Sequence, residues 1–202
     1  MIDPKKRHYP YMFIKKSIDI LMKRRGKTIV EIGSMRMPLN HPIDEYHHDC
    51  CCDGHSSALW ALTGLDFYTI DISESSYNTT KSVVIDKLHC SNASVMQGDG
   101  LEFLENFTKP IDLLFLDAWD VDNTDYAEKH LEAYKIAKKN IHDNTLILID
   151  DTDVYWDFQK KELFFSTDGL SGKGKLVISE AKKDGFNIVF QGRQTLLAKS
   201  EI

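Results

Sequence analysis

Four apolar runs in this chain end in carboxylates. Residues 27–34 carry Glu31 just ahead of Gly33 and Ser34, residues 67–71 end at Asp71, residues 111–117 at Asp117, and residues 145–151 at Asp150 and Asp151. Strands covered on both faces are written as continuous apolar segments, and the β-branched and aliphatic content of these runs fits that pattern. In an open parallel sheet, ligands bind in the crevice outside the carboxyl ends of the strands, so these acids would meet at one edge. Acids gathered there can do two kinds of work. One carboxylate can accept two O–H donors on separate oxygens, and several together make a hard oxygen site for a divalent cation.

A second group of reactive side chains is more compact. His47, His48, Asp49, Cys50, Cys51, Cys52, Asp53 and His55 suggest zinc by type, but adjacent ligands do not readily converge on one tetrahedral ion and no Cys-x-x-Cys pair is present. The cluster reads better as an extended ligand loop, in which His41, His47 or His48 could serve as a base near neutral pH.

The elements that must position these groups alternate. Tyr11, Ile14, Ile18 and Leu21 recur at helical spacing, and Gly26 stands where a helix C-cap would, before the first strand. The turn after Ser34 is extended by an insertion over residues 35–52; a helix over 58–62 follows, with Ser56 as its N-cap. The pattern then predicts a strand at 67–71, a helix over 74–88, a short strand at 93–96, a helix over 101–107, a strand at 111–117 and a helix through Ala127, Leu131, Tyr134, Ala137 and Ile141. Lys135, Lys138 and Lys139 form that helix's solvated face. A fifth strand covers 145–149. Residues 154–174, rich in aromatics and glycine, read as a mobile cover with a short internal helix. A helix over 175–183 and two strands, 186–190 and 195–198, close the chain; the four residues between those strands make them an antiparallel hairpin.

Length and charge bound the function. The 202 residues suit one domain, 1–202, with an N-terminal helical segment at 1–26. The 25 basic and 31 acidic residues give a net charge of −6, which argues against a surface built to neutralise nucleic-acid phosphates. No run has the length and apolarity of a membrane span, no signal-peptide pattern opens the chain, and four cysteines, three of them adjacent, make no secreted disulfide framework. The expectation is a cytoplasmic protein that takes neither nucleic acid nor membrane as partner. A homo-oligomer is left open.

From about Gly26 onward the chain resembles the class I S-adenosylmethionine-dependent methyltransferases. Four local signatures occur in that family's order: Glu31-Ile32-Gly33-Ser34, Asp71, Gly98-Asp99-Gly100, and Asp117-Ala118-Trp119. The resemblance implies a Rossmann-like, three-layer α/β/α methyltransferase fold, with a mostly parallel seven-stranded sheet and an antiparallel C-terminal hairpin. It also implies S-adenosylmethionine as cofactor. The contacts would come from Glu31, Gly33 and Ser34; from Gly54, His55 and Ser56 at the next helix; from Asp71 at the ribose and the adjacent Ile72; from Gly98, Asp99 and Gly100 at the adenine; and from Asp117, Ala118 and Trp119 beneath the sulfonium.

A narrower similarity is to the cation-dependent, catechol-type O-methyltransferases, carried by residues 115–119 and 148–151. It implies Asp117, Asp150 and Asp151 as ligands to Mg²⁺ or another divalent cation, a catalytic role for Asp117, and a hydroxyl of a small molecule as methyl acceptor. The places where that group carries a histidine and a basic lysine hold Ala118 and Asp120 here. Neither a lysine base nor catechol specificity is therefore implied.

Other activities fit less well. Enzymes that methylate nucleic-acid amines carry Asn/Asp-Pro-Pro-Tyr/Phe where this chain has Asp117-Ala118-Trp119-Asp120. A dehydrogenase would want Gly-x-Gly-x-x-Gly after the first strand and a parallel sixth strand. A protein that holds cofactor without catalysis stays compatible with the sequence.

Overall fold

A computed structural model of the chain describes residues 10–40, 55–166 and 171–199. Most of the 35–52 insertion, with His41, His47, His48 and the three adjacent cysteines, lies outside the described residues, as do Gly54 and four residues of the expected cover.

The order of elements is α1 (Pro10–Lys23), β1 (Thr28–Ile32), α2 (Ser56–Ala61), β2 (Asp66–Asp71), α3 (Glu74–Lys81) running into a π-helical turn (Ser82–Lys87), β3 (Ala93–Gln97), α4 (Gly100–Asn106), β4 (Ile111–Leu116), α5 (Tyr126–Ala137), β5 (Ile141–Ile149), β6 (Val154–Asp157), β7 (Glu162–Phe165), α6 (Val177–Lys183), β8 (Asn187–Phe190) and β9 (Thr195–Ala198). Seven strands form one sheet in the order β3-β2-β1-β4-β5-β9-β8. Neighbours from β3 to β5 pair in parallel, and β9 runs antiparallel to both β5 and β8. The expected sheet and its closing hairpin are present.

The continuous apolar runs divide by alternation, since successive side chains of a strand point to opposite faces. Val30, Ile32, Leu114, Leu116, Ile147 and Ile149 pack against α4, α5 and α6 on one face. Ile29, Leu113, Phe115, Leu146 and Leu148 pack against α1, α2 and the π-helical turn on the other. Both faces are covered, which makes three layers.

Several boundaries differ from expectation. Arg25, not Gly26, takes the left-handed conformation after α1, at φ 58°. Ser56 lies inside α2; the N-cap position belongs to His55, also left-handed at φ 47°, and no side chain caps the helix. The helix expected over 74–88 changes to π-helical winding at Ser82. The cover was expected to hold a short helix. Instead β6 and β7 form a separate two-stranded antiparallel ribbon, pairing Val154 with Phe165 and Tyr155 with Phe164. The aromatics Tyr155, Trp156, Phe164 and Phe165, with the β-branched Val154, favour that pleated surface.

Candidate functional site

β1 is followed in the sheet by β2 and β3 on one side, and β4 by β5 on the other, so the chain's direction of progress reverses between β1 and β4. The loops leaving these two strands therefore part and open a crevice. Their backbones are tied at its floor, where Asp117 N–H donates to Ile32 O at 2.8 Å and Gly33 N–H to Ile70 O at 2.9 Å. Gly33 sits at φ +94°, and a Cβ there would lie 2.5 Å from the carbonyl oxygen of Asp117. Only glycine fits that approach.

Above this floor is a cavity of about 270 Å³, lined by residues that follow β1, β2, β3 and β4. Asp71 ends β2 at its wall. Its Oδ2 accepts from Ser34 N–H (2.9 Å) and Ser34 Oγ (3.1 Å), and its Oδ1 accepts from Ser73 N–H at 2.8 Å. These bonds fix the carboxylate's orientation; Oδ1 keeps one lone pair for a ligand, and Oδ2 regains one whenever the Ser34 hydroxyl rotates away. Ile72 beside it is 74% exposed, an apolar side chain left at the cavity without a packing partner of its own. Asp99 caps α4, its Oδ1 accepting from Leu101 N–H (2.7 Å) and Glu102 N–H (3.3 Å). No hydrogen bond to its Oδ2 is found among the described residues. Ser34, Gly100, Ala118 and Trp119 also line the cavity. Trp119 holds φ +45°, a conformation that bulky residues rarely adopt and that concentrates at functional sites. Arg36 and Asp120, paired at 2.9 Å, complete the lining.

Glu31, Gly98, His55 and Ser56 do not line this cavity. Glu31 is fully buried beneath it, accepting from Ser56 Oγ (2.5 Å), Ser57 Oγ (2.6 Å) and Thr69 Oγ1 (2.7 Å). Burial pushes its pKa up to about 7, although the three hydroxyl donors act against that rise. Ser56 spends its hydroxyl on this network, and His55 is buried at the entrance to α2. Glu31 thus ties β1 to α2 and β2. Its partners come from two other elements, so a reading of the first motif by itself places the acid at the ligand.

The second gathering of acids lies next to the cavity. One carboxylate oxygen from each of Asp117, Asp150 and Asp151 falls within 4.8 Å of the others. Two cations already stand among them. Lys173 Nζ is 2.7 Å from Asp117 Oδ1, 3.1 Å from Asp151 Oδ2 and 3.5 Å from Asp120 Oδ1, with its side chain 1% exposed. Arg193 reaches Asp151 Oδ1 at 2.5 Å and Asp150 Oδ1 at 3.7 Å, and Gln194 Nε2 donates to Asp150 Oδ1 at 2.8 Å.

The charges decide the protonation states. Burial alone would strip the Lys173 proton, but the surrounding carboxylates outweigh it and hold the amine's pKa above its ordinary value. Burial pushes the Asp117 carboxyl well above the usual range, with Asp150 adding to the rise and Lys173 opposing it. Burial acts in the same direction on Asp151, but there Lys173 and Arg193 prevail and the pKa falls. Lys173 is consequently an ammonium and cannot act as a resting-state base.

Sequence reasoning missed Lys173, Arg193 and His130. The ring of His130 meets Trp119 edge-on, with centroids 5.1 Å apart, and its Nδ1 lies 2.6 Å from Tyr126 O. Burial, with the Lys173 charge second, lowers its pKa to about 3. Because a carbonyl only accepts, the neutral ring carries its proton on Nδ1. Its Nε2 is a buried acceptor with no partner among the described residues. A histidine and a lysine do therefore stand near Trp119 and Asp117, supplied by α5 and by the segment before α6. The available sequence signal was Gly172-Lys173-Gly174, a lysine between two glycines.

No family model matches the chain, and no curated protein does. Solved structures do. The O-methyltransferase from Bacillus cereus in complex with SAH is 14% identical at a TM-score of 0.58, with 98% of this chain and 83% of that one covered. The SAH-bound methyltransferase PaMTH1 from Podospora anserina is 16% identical at 0.62, covering 94% and 78%. The O-methyltransferase TomG from Streptomyces achromogenes, solved with SAM, is 14% identical at 0.58, covering 100% and 82%. Likeness at these identities establishes the Rossmann-like α/β/α architecture that the three share with this chain.

Proposed function

We propose that the protein is an S-adenosylmethionine-dependent methyltransferase acting on a hydroxyl of a small molecule. The observation that carries this reading is the cavity between β1 and β4, which Asp71, Ile72, Asp99 and the close-approach Gly33 line together. The crevice fits the molecule on chemical grounds. Asp71 would accept from the two ribose hydroxyls, Ile72 would pack on the flat base, and the second oxygen of Asp99 would accept from the exocyclic amine. Gly33, Ser34 and the Asp117-Ala118-Trp119 loop would hold the methionine end.

When bound, the cofactor supplies an already activated methyl group. The protein's own work is then positioning and exclusion of water, which can supply much of a barrier reduction. Trp119, held in its left-handed conformation, forms a rigid wall where acceptor and cofactor would meet. The neutral His130 behind it packs edge-on against the indole and holds that wall in place. The structural neighbours described as O-methyltransferases support a hydroxyl as acceptor.

Calorimetric titration with S-adenosylhomocysteine, with NAD as control, tests the reading. Saturable 1:1 binding of the homocysteine compound alone is expected, and binding of neither, by folded protein, would overturn it. Asp71→Ala should weaken that binding about 10- to 100-fold, the usual cost of losing charge-assisted hydrogen bonds. Circular dichroism would confirm that the variant is folded.

A further inference from the structure

The catechol-type similarity implies a divalent cation at Asp117, Asp150 and Asp151, but the residues around these acids do not fit one. A hard cation needs several carboxylate and water oxygens turned toward it at about 2.1–2.5 Å. Here Asp117 Oδ1 and Asp151 Oδ2 face the Lys173 ammonium, Asp151 Oδ1 faces Arg193, and Asp150 Oδ1 faces Gln194 and Arg193. At least one oxygen of every would-be ligand is engaged by a cation or an amide, and an incoming ion would meet two like charges inside the cluster.

We propose that Lys173, backed by Arg193, is a built-in substitute for the metal: its ammonium takes the position a divalent cation would hold, and the protein works without one. Lys173 is not a surface arm that has folded inward. Its own N–H donates to Asp151 O at 3.2 Å, and Gly172 N–H donates to Thr152 O at 3.4 Å. Gly172 is pressed so closely on the strand-end turn that an added Cβ would lie 1.5 Å from Asp151 O. Arg193 is tied to the same turn, because Thr152 N–H donates to Arg193 O at 2.9 Å and Thr152 Oγ1 to Gly192 O at 2.8 Å. Two separate chain segments thus deliver two cations to one group of acids through backbone contacts. Displacing them for a metal would require breaking those contacts as well as the ion pairs.

The substitute also sets what the site can do. An ammonium donates hydrogen bonds and has no vacant coordination position, so it cannot ligate two vicinal oxygens of an acceptor as a metal would. It holds the carboxylate of Asp117, which lines the cavity, and neutralises charge behind it. Acceptors that chelate a metal lose their advantage here.

The deciding experiment is titration of the full-length protein with Mn²⁺, followed by calorimetry and by the electron paramagnetic resonance signal of the free ion. The wild-type protein is expected to show no saturable site below about 1 mM, weaker than functional carboxylate sites generally are. Lys173→Ala, which empties the centre of the cluster, is expected to gain a single site at least about 10-fold tighter than any wild-type binding. One Mn²⁺ bound by the wild-type protein and lost in Asp150→Asn would overturn the proposal, and so would a folded Lys173→Ala protein that gains nothing. If Lys173→Ala does not fold, Lys173→Met, which keeps an unbranched buried stem but removes the ammonium, is judged by the same criterion. The wild-type arm needs no variant. It is also independent of cofactor binding, so failure of the methyltransferase reading and failure of this one are told apart.

Discussion

Glu31 shows what a single residue in a family-like motif can be doing instead of touching ligand. Its carboxyl group is inaccessible and receives three hydroxyl donors. Because its folded pKa is raised to about 7 from an ordinary value of 4.5, the folded state holds a proton that the unfolded state has released between those values. The stabilising contribution is therefore fully present below about pH 4.5 and is lost as pH rises through about 7. Glu31→Gln removes this titration and keeps an oxygen that can accept, so its melting temperature should vary less between pH 5 and 8 than that of the wild-type protein. Glu31→Ala leaves buried hydroxyls without their acceptor and should cost about 2–4 kcal/mol. Thermal melts of the wild-type and Glu31→Gln proteins at pH 5 and pH 8 check the first statement, and chemical denaturation of Glu31→Ala checks the second. An unchanged pH slope in Glu31→Gln would show that the carboxyl group is not the titrating element.

At the scale of elements, the turn after β5 carries the most constraint. Thr152 alone bonds to Gly192 O and Thr195 Oγ1, while the carbonyls of Asp151 and Thr152 accept from residues 171–173. Asp151 holds φ +50° in the middle of this turn, which aspartate tolerates better than most residues. Gly172→Ala must displace one of the two backbones it separates. A cost of about 3 kcal/mol or more is expected, which is roughly a 6–12 °C fall in melting temperature for a chain of this size. The same substitution should pull Lys173 from its ion pairs and leave the clustered acids repelling one another, so added salt should raise the variant's melting temperature more than the wild-type protein's. By contrast, alanine at Leu163, exposed on the β6–β7 ribbon, should shift stability by no more than about 0.5 kcal/mol.

At the scale of the molecule, what could be read from sequence follows the range of the interactions involved. The five parallel strands were legible because two-sided burial writes itself locally as an apolar run, and Asp71, Asp99 and Asp117 were legible because strand ends in such a sheet face one crevice. Lys173 and Arg193 were not, because their places are set by backbone contacts with a turn that lies 20 to 40 residues earlier. Those two cations alter the electrostatics of the whole site. Lys173 is buried among the carboxylates and Arg193 nearly so, both spent on ion pairs, while among the described residues the cavity presents Asp71, Asp99, Asp117 and Asp120 against Arg36 alone. Together with a net charge of −6, this should repel phosphate-rich acceptors from the crevice and favour neutral or cationic ones. Fluorescence anisotropy with labelled single-stranded RNA and duplex DNA should therefore show no saturable binding at about 10 μM protein in 150 mM salt, a regime in which basic nucleic-acid proteins already bind non-specifically. Binding that weakens steeply with added salt would instead reveal a phosphate-contacting surface, and would move the acceptor from a small molecule to a polynucleotide.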